Sequence, residues 1–306
     1  MGKEITNKPA SVMAKLHNLS REEGVDYNYL LLRYCQERFL YRLSVSQFAN
    51  NFCLKGGLFL ICLDVPSTRT TKDIDFLARH ISNETKGLES VVAKIASLEY
   101  EDGVKFVPNE IKSEEIVEAS NYPGVRIKMP ALIGKARVPI QLDFAWGDVI
   151  KPKETLIDFP TILDDEESPK LSAYSIESAV SEKFQAMVKL EAANSRMKDF
   201  YDIYILSSSN NFKAKVLISA IEATFKNRQT SLSNNLLIFR KDFSEDKNRQ
   251  KQWAAFIKKH KLEGVPKKFT EIMARITNLL EPLTLSIINK AEIDGLWDSR
   301  EGHWNS

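Results

Sequence analysis

Residues 54–80, LKGGLFLICLDVPSTRTTKDIDFLARH, combine a glycine pair, an apolar run and two closely spaced aspartates. Gly56 and Gly57 stand directly before the apolar run, which we predict to be a helix. Glycine has no side chain, so backbone N–H groups at this helix N-terminus could approach an anion such as a triphosphate closely. A Gly-Gly pair by itself more often marks a turn or a close packing contact, so the residues that follow must decide between these interpretations.

The two aspartates, Asp73 and Asp75, alternate with the apolar residues Ile74 and Phe76. In a β-strand this alternation places both carboxylates on one face and both apolar side chains in the core. Two like charges on one strand face repel each other, and divalent cations, which prefer oxygen ligands, relieve that repulsion. The pattern therefore predicts a strand that carries a Mg²⁺ site.

A third aspartate occupies the polar phase of a later apolar strand, VPIQLDFAW at 138–146. Ile140, Leu142 and Phe144 form its apolar face, and Asp143 projects from the opposite face. If this strand neighbours the first, three carboxylates converge and can hold two metal ions, which would orient a nucleotide triphosphate and stabilise a pyrophosphate leaving group. The alternative, in which each aspartate only ends or solvates its strand, does not explain why all three share the polar phase.

The rest of the chain divides into three parts around this stretch. Residues 1–50 contain few helix breakers and predict two or three helices, whereas residues 51–168 contain short apolar runs bounded by Gly, Pro and Thr, typical of a mixed sheet. Residues 169–306 become mainly helical again, and the acidic stretch before Pro169 marks the boundary. We therefore predict an α+β fold, with a mixed-sheet core between a helical N-terminal segment and a C-terminal helical bundle.

Composition limits the class of protein. The chain has 306 residues, 43% of them hydrophobic, which is enough for a substantial core. No run approaches the roughly 20 apolar residues of a membrane helix, and the first residues lack the apolar segment of a secretory signal, which favours the cytoplasm. Cys35, Cys53 and Cys62 lack metal-binding spacing and predict buried thiols. The four scattered histidines support neither a zinc site nor a nucleophilic triad.

Charge is unevenly distributed along the chain, although the formal net charge is only +2. Residues 240–268 carry an excess of Lys and Arg, which could attract a phosphate backbone. A solvated helical face explains the same excess, and charge alone favours this second interpretation.

Together these motifs resemble the AbiEii/AbiGii toxin branch of the nucleotidyltransferase superfamily. The matching segments are the glycine pair, RxTxDID at 69–75, the later strand ending in LDF, EKFQAMV at 182–188 and SRMKDFYDIY at 195–204. They follow one another in the family's order across residues 34–206. The segment FSEDKNRQKQWAAF at 243–256 also resembles the family's C-terminal helix with its tryptophan.

The resemblance implies roles for the residues of the sheet. Gly56 and Gly57 would line the phosphate loop. Asp73 and Asp75 would bind metal as catalytic residues, and Asp143 would be the third carboxylate, which polarises the acceptor hydroxyl.

Residues in two loops, one before Asp73 and one after the LDF strand, have open interpretations. Arg69 would contact phosphate together with Thr71, or would pair with a local acid and hold the loop. Asp148, just after the LDF strand, caps the turn more readily than it binds metal.

The resemblance also brings residues of two C-terminal helices to the active site. It assigns Lys183 and Asp199 as catalytic residues, with Lys183 as a compact charge for the β- or γ-phosphate. It assigns Arg196, Lys198 and Asp202 to nucleotide binding, although these three can equally be structural. Spacing alone would instead make Lys183 part of a surface ion pair and the two aspartates part of a charged helical face.

The implied activity is that of a Mg²⁺-dependent nucleotidyltransferase with a two-ion site and an NTP as substrate. By family analogy it would transfer a nucleoside monophosphate to an RNA hydroxyl, at the 3′ end of tRNA, as the toxin of an abortive-infection or toxin–antitoxin system that acts against phage. Its antitoxin would be a transcriptional repressor that acts without a stable protein complex, and no membrane would take part.

Two alternative functions remain open at this point. The same metal site would suit a kinase or a protein AMP-transferase. A non-catalytic relic would instead bind a partner through the terminal helices, but intact Asp73, Asp75 and Asp143 argue against such decay.

Overall fold

The computed structural model of the chain describes residues 7–63, 65, 69–117 and 123–305. The first six residues of the predicted N-terminal helical segment lie outside this range. Within it the chain has an α+β fold, in which a mixed sheet has helices at both of its ends, as predicted.

Helices and strands alternate along the described part of the chain. The α-helices there are α1 (Lys8–Glu23), α2 (Tyr27–Ser44), α3 (Gly56–Ile61), α4 (Thr85–Ala96), α5 (Ile176–Leu190), α6 (Met197–Ser209), α7 (Ala214–Asn227), α8 (Lys241–Ser244), α9 (Lys247–His260) and α10 (Phe269–Asn289). The β-strands there are β1 (Phe52–Lys55), β2 (Asp73–Ala78), β3 (Val104–Phe106), β4 (Lys112–Val117), β5 (Pro123–Ile133), β6 (Ala136–Ala145), β7 (Thr155–Asp158), β8 (Lys170–Ala173), β9 (Leu296–Asp298) and β10 (His303–Asn305).

The main sheet has the order β3-β5-β6-β2-β1-β8-β7, and β4 also pairs with β5. Strand β2 lies at its centre, antiparallel to β1 and parallel to β6. Strands β5 and β6 form a long antiparallel pair, and β8 runs parallel to β1. Two strands that are far apart in sequence, β2 and β6, are therefore direct neighbours.

Strand β2 alternates as its sequence predicts. Ile74 and Phe76 are buried, whereas Asp73 and Asp75, which alternate with them, keep partial exposure. The Phe76 ring packs against Phe52 of β1 and Phe144 of β6, with ring centroids 5.6 and 5.4 Å away. This aromatic cluster fixes the apolar face of the three central strands, so the polar face of β2 is fixed as well.

The predicted N-terminal helices are α1 and α2, and α2 packs against α4, β6 and β8. Most of the surface of α2 is buried, so its charged side chains need partners. Arg42 donates to both carboxylate oxygens of the buried Asp102, at 2.6 and 3.2 Å. The N-terminal helices are therefore an integral part of the core.

The C-terminal half packs α5 against α6 and α7, and α10 against α6 and α7. Helix α5 begins after Ser175, the N-cap residue, whose hydroxyl accepts a hydrogen bond from the Ser178 N–H at 3.2 Å. On α9, Trp253 is fully buried and donates from Nε1 to the Pro266 carbonyl at 2.9 Å. These contacts join α9 to the helices that stand beside the sheet.

Three details differ from the sequence-based expectations. Strand β8 lies beyond Pro169 and still pairs with β1, so the sheet extends past the predicted boundary; a four-residue strand carries too little periodicity to be recognised. The C-terminal end forms the β9–β10 hairpin in a region predicted to be helical. Cys35 and Cys53 are buried, but Cys62 is only half-buried.

None of the helices in the described ranges is both long enough and apolar enough to cross a membrane.

Candidate active site

Three carboxylates meet on the polar face of the central strands. The parallel pairing of β2 with β6 places Asp75 directly opposite Asp143, and Asp73 lies two residues away on the same face. One carboxylate oxygen from each of the three lies within 4.8 Å of the others. The convergence that the strand phases predicted is therefore present, and its cause is the β2–β6 pairing.

The glycine pair packs directly against these acids. Gly56 has a φ of +70°, and a Cβ built on it would lie 1.9 Å from Oδ2 of Asp75. A Cβ on Gly57 would lie 2.7 Å from Oγ1 of Thr71. Helix α3 begins at Gly56 itself, two residues earlier than the apolar run indicates. Both glycines are thus required for close approach of the backbone to the acidic strand and its preceding loop.

The carboxylates differ in their electrostatic surroundings. Burial and the neighbouring Asp73 charge raise the pKa of Asp75 to about 7. Burial alone would also raise the pKa of Asp73, but the hydrogen bond from Thr71 and the Lys198 charge outweigh burial and hold it below its ordinary value. The Thr71 hydroxyl donates to Asp73 at 2.8 Å. The metal-free cluster therefore carries one carboxyl that is only half ionised near neutral pH.

The donor set fits a hard divalent cation. The three converging groups are all carboxylates, and their mutual repulsion is what a bound cation would relieve. Asp73, Asp75 and Asp143 are the residues that could hold it.

Asp143 is paired with a residue that sequence reasoning missed. Arg126 of β5 donates from Nε to Oδ1 and from Nη2 to Oδ2 of Asp143, at 2.8 and 2.7 Å. The arginine stands opposite Asp143 in the β5–β6 register, and its side chain is 30% exposed. A signal for it existed, because Arg126 occupies the polar phase of the run GVRIKM. In the absence of metal, this guanidinium neutralises the third carboxylate.

Arg69 and Lys183 both bind one buried carboxylate, that of Asp202. Arg69 donates from Nε and Nη2 to the two oxygens of Asp202 at 2.8 and 2.9 Å, and Lys183 donates to Oδ2 at 2.6 Å. Burial would raise the pKa of Asp202, but the two cations hold it at about 2. Of the two interpretations of Arg69, the ion pair is the one present, although its acid lies on α6 and is not local.

Lys183 also lies near Asp199, at 3.5 Å, so the two acids of α6 share one cation from α5. Its side chain is only 12% exposed, which rules out the surface ion pair with Glu182 that spacing alone favours. Burial would lower the pKa of Lys183, but Asp202 and Asp199 outweigh burial and raise it. The lysine therefore stays charged beside the acidic triad.

Arg196 and Lys198 stand at the start of α6, as predicted. Arg196 is exposed, and its Nε lies 2.9 Å from Asp199. Lys198 is half-buried beside the acidic cluster. Its charge favours the ionised form of Asp73 and partly opposes the rise in the pKa of Asp75. Together they supply positive charge at the open side of the site.

A second charged cluster, also missed by sequence reasoning, lies beneath the glycine pair. Lys55 donates to Asp148 at 2.9 Å and lies 3.2 Å from Glu182. Arg228 of α7 lies 2.9 Å from Asp148 and 3.0 Å from Glu182. Asp148 therefore does not cap its turn as expected but joins the residue before the glycine pair to α7. The sequence signal for this cluster was weak, because Lys55 precedes the glycine pair and Asp148 follows the LDF strand, so neither belongs to the alternation that marks the acids.

These residues line a narrow cavity of about 180 Å³, which brings together Gly56, Gly57, the three aspartates of the sheet, Lys183 and Lys198. Arg69, Thr71, Asp73, Arg196 and Lys198 also line a wider cleft of about 590 Å³. The two spaces are therefore adjacent. The three carboxylates could hold cations, and a polyanion could bind over those cations. The basic side chains of Arg196 and Lys198 would then lie on one side of the polyanion.

Comparison with known proteins gave one family and several structural likenesses. The family model described as nucleotidyl transferase AbiEii toxin, type IV TA system, matches residues 38–275. The crystal structure of JHP933 from Helicobacter pylori is 16% identical with a TM-score of 0.49, over 85% of this chain and 97% of that chain. An antigenic nucleotidyltransferase-like protein from Paracoccidioides brasiliensis is 14% identical with a TM-score of 0.32, over 74% of this chain and 89% of that one. No curated protein sequence matches the chain.

Proposed function

The chain belongs to the AbiEii family of nucleotidyl transferase toxins of type IV toxin–antitoxin systems, and we propose that it transfers a nucleoside monophosphate from an NTP to a hydroxyl group of RNA. The proposed metal is Mg²⁺ in a two-ion site, and the proposed acceptor is the 3′ end of tRNA. The observation that carries the proposal is the convergence of three carboxylates beside the glycine pair. Family membership makes the chain a nucleotidyltransferase and implies an antitoxin partner.

In this proposal the carboxylates Asp73, Asp75 and Asp143 hold the metal. Bound Mg²⁺ would supply positive charge for the phosphates and lower the pKa of a coordinated hydroxyl. The backbone of Gly56 and Gly57 packs directly against Asp75 and Thr71, so in this proposal its N–H groups lie next to the place where the phosphates bind.

The basic residues divide into two groups with different proposed roles. Arg69 and Lys183 are held by Asp202, so their charges are largely balanced and their proposed role is to position α5 and α6 against the loop before β2. Lys198 and the exposed Arg196 are placed to bind phosphate directly, with Asp199 orienting Arg196. Thr71 orients Asp73 through its hydroxyl.

The biological setting is proposed from the family alone. The protein would act in the cytoplasm, where NTP and tRNA meet, and would limit phage infection by disabling tRNA. Its antitoxin would repress transcription and form no stable complex with this chain.

The test is a transfer assay with purified protein, Mg²⁺ and each of the four NTPs, labelled at the α-phosphate or in parallel at the γ-phosphate, with bulk tRNA as acceptor. We expect label in tRNA, and we expect Asp73→Ala to abolish it. Asp158→Ala is the matched control, because Asp158 is an exposed aspartate of β7 paired only loosely with Lys170, at 3.8 Å. Transfer of γ-label would indicate a kinase, and label on protein would indicate a protein AMP-transferase. Full activity in Asp73→Ala would contradict the assignment of the site.

A further inference from the structure

A wide cleft lies beside the acidic site, and the proposed roles of the carboxylates and the glycine pair do not involve it. It lies between the loop before β2, the start of α6 and one face of α9, and it borders the narrow cavity along Arg69, Thr71, Asp73, Arg196 and Lys198. Because Asp73 lines both spaces, a molecule whose phosphates lie over the carboxylates would have the rest of its structure next to this cleft.

The face of α9 in this cleft carries two aromatic rings. Phe256 and His260 are one helical turn apart, and their ring centroids are 4.6 Å apart. Both keep partial exposure. Phe256 is backed by Trp253, whose ring is stacked on it with centroids 5.6 Å apart, and by Tyr201 at 5.7 Å. The exposed side of Phe256 therefore belongs to a rigid aromatic stack.

His260 is fixed by a second contact. Its Nδ1 lies 2.7 Å from the hydroxyl oxygen of Thr70, in the loop that leads to the metal-binding strand. This contact ties α9 to the loop. It also holds the imidazole in one orientation beside Phe256.

The polar residues of the cleft suit a nucleoside. Gln252 is exposed on α9 and offers an amide that can both donate to and accept from the edge of a base. Lys72 and Lys259 stand exposed at its rim. A volume of about 590 Å³ is in the range of pockets that hold one small ligand.

We propose that this cleft binds the nucleoside part of the donor NTP, with the base stacked on Phe256 and His260 and its edge read by Gln252. The inference rests on the proposed nucleotidyl transfer and adds the base-recognition site to it. Asp143 and Arg126 line the narrow cavity and not the wide cleft, so the acceptor hydroxyl would approach from the opposite end.

The experiment measures equilibrium binding in the presence of Mg²⁺ by calorimetry. The probes are α,β-methylene analogues of the four NTPs, which resist transfer, and inorganic tripolyphosphate, which lacks the nucleoside. An RNA oligonucleotide serves as a third probe and represents the acceptor. The variants are Phe256→Leu and His260→Gln, and the control is Lys258→Gln, an exposed position of α9 that does not line the cleft. Removing an aromatic ring on which a base stacks typically weakens binding affinity about tenfold.

We expect Phe256→Leu and His260→Gln each to weaken binding of the preferred analogue about tenfold and to leave tripolyphosphate binding unchanged. Thermal melting shows whether Phe256→Leu is folded. If it is not, the comparison is made with His260→Gln, whose side chain is half-buried. Unchanged nucleotide affinity in folded variants would overturn the inference while the proposed function stands. Loss of binding to an RNA oligonucleotide instead of the nucleotide would also overturn it, because the acceptor would then occupy the cleft. If wild-type protein binds none of the nucleotides, the proposed function fails together with the inference.

Discussion

Arg126 donates one hydrogen bond to each carboxylate oxygen of Asp143, so the third acid of the cluster is fully engaged by a guanidinium. A metal ion that uses Asp143 must compete with this pair. The arginine has a second acid within reach, because its Nη1 lies 3.8 Å from Glu114 on β4. Arg126 can therefore release Asp143 and still remain close to the carboxylate of Glu114.

Replacing Arg126 by methionine should raise metal affinity. The change removes the competing cation and keeps an unbranched stem, and a hydrogen bond to a charged group contributes about 1.5–3 kcal/mol when it is not strongly solvated. Since Arg126 is partly exposed, we expect the lower part of this range, roughly a tenfold tighter binding of Mn²⁺ measured by electron paramagnetic resonance. Lys128→Met, on the same strand and paired with Glu114, should bind Mn²⁺ like the wild type. Equal affinities in all three proteins would show that Arg126 does not compete with the metal.

The pKa of Asp75 predicts how the stability of the metal-free protein depends on pH. The folded-state pKa of about 7 lies above the ordinary value of 3.8, so between these values the folded state binds more protons than the unfolded state. Stability therefore falls as pH rises from about 4 to about 7, where the folded-state carboxyl ionises against its neighbours. Chemical unfolding in EDTA should show this fall in the wild type and a flatter profile in Asp75→Asn. Identical profiles would remove Asp75 as the cause.

Magnesium should reverse part of this loss. The ion binds the ionised form of Asp75, so its stabilising effect on the melting temperature should be larger at pH 8 than at pH 6. The control is Asp75→Asn, in which the pH dependence of the magnesium effect should shrink. A larger effect at pH 6 than at pH 8 would contradict this linkage.

Substitution of Asp202 by asparagine should destabilise the fold. The change leaves the largely buried Arg69 and Lys183 without their shared carboxylate, and breaking a buried ion pair in this way costs about 3–5 kcal/mol. Urea unfolding measures the loss. Asp242→Asn, which affects an exposed pair with Arg240, should unfold like the wild type. A small loss in Asp202→Asn, similar to that control, would mean that water replaces the lost contacts.

Substitution of Gly56 by alanine should damage both folding and metal binding. The new Cβ would meet the Asp75 carboxylate at 1.9 Å in a backbone conformation with φ of +70°. The left-handed conformation alone costs about 1–2 kcal/mol for a residue with a Cβ, and displacement of Asp75 should weaken Mn²⁺ binding at least about tenfold. The matched control is Gly87→Ala in α4, where no atom lies within 4 Å of the new Cβ and stability should rise slightly. Wild-type metal affinity in Gly56→Ala would show that Asp75 can shift without leaving the site.

The sequence by itself determined the local features of this protein. Alternation of Asp73 and Asp75 with Ile74 and Phe76 fixed both a strand and the face of its acids, because side chains alternate in every strand whatever its neighbours. The family motifs were equally visible, since each depends on residues a few positions apart.

Only the tertiary structure decided which remote groups meet. Arg69 lies 133 residues from Asp202, and its partner could not be chosen among the many acids of the chain before α6 was packed against the loop. The pairing of Arg126 with Asp143 needs the β5–β6 register, and the Lys55–Asp148 pair needs the fold of the whole sheet. The physical reason is that ionic contacts depend on distance in space, which periodicity along the chain does not encode.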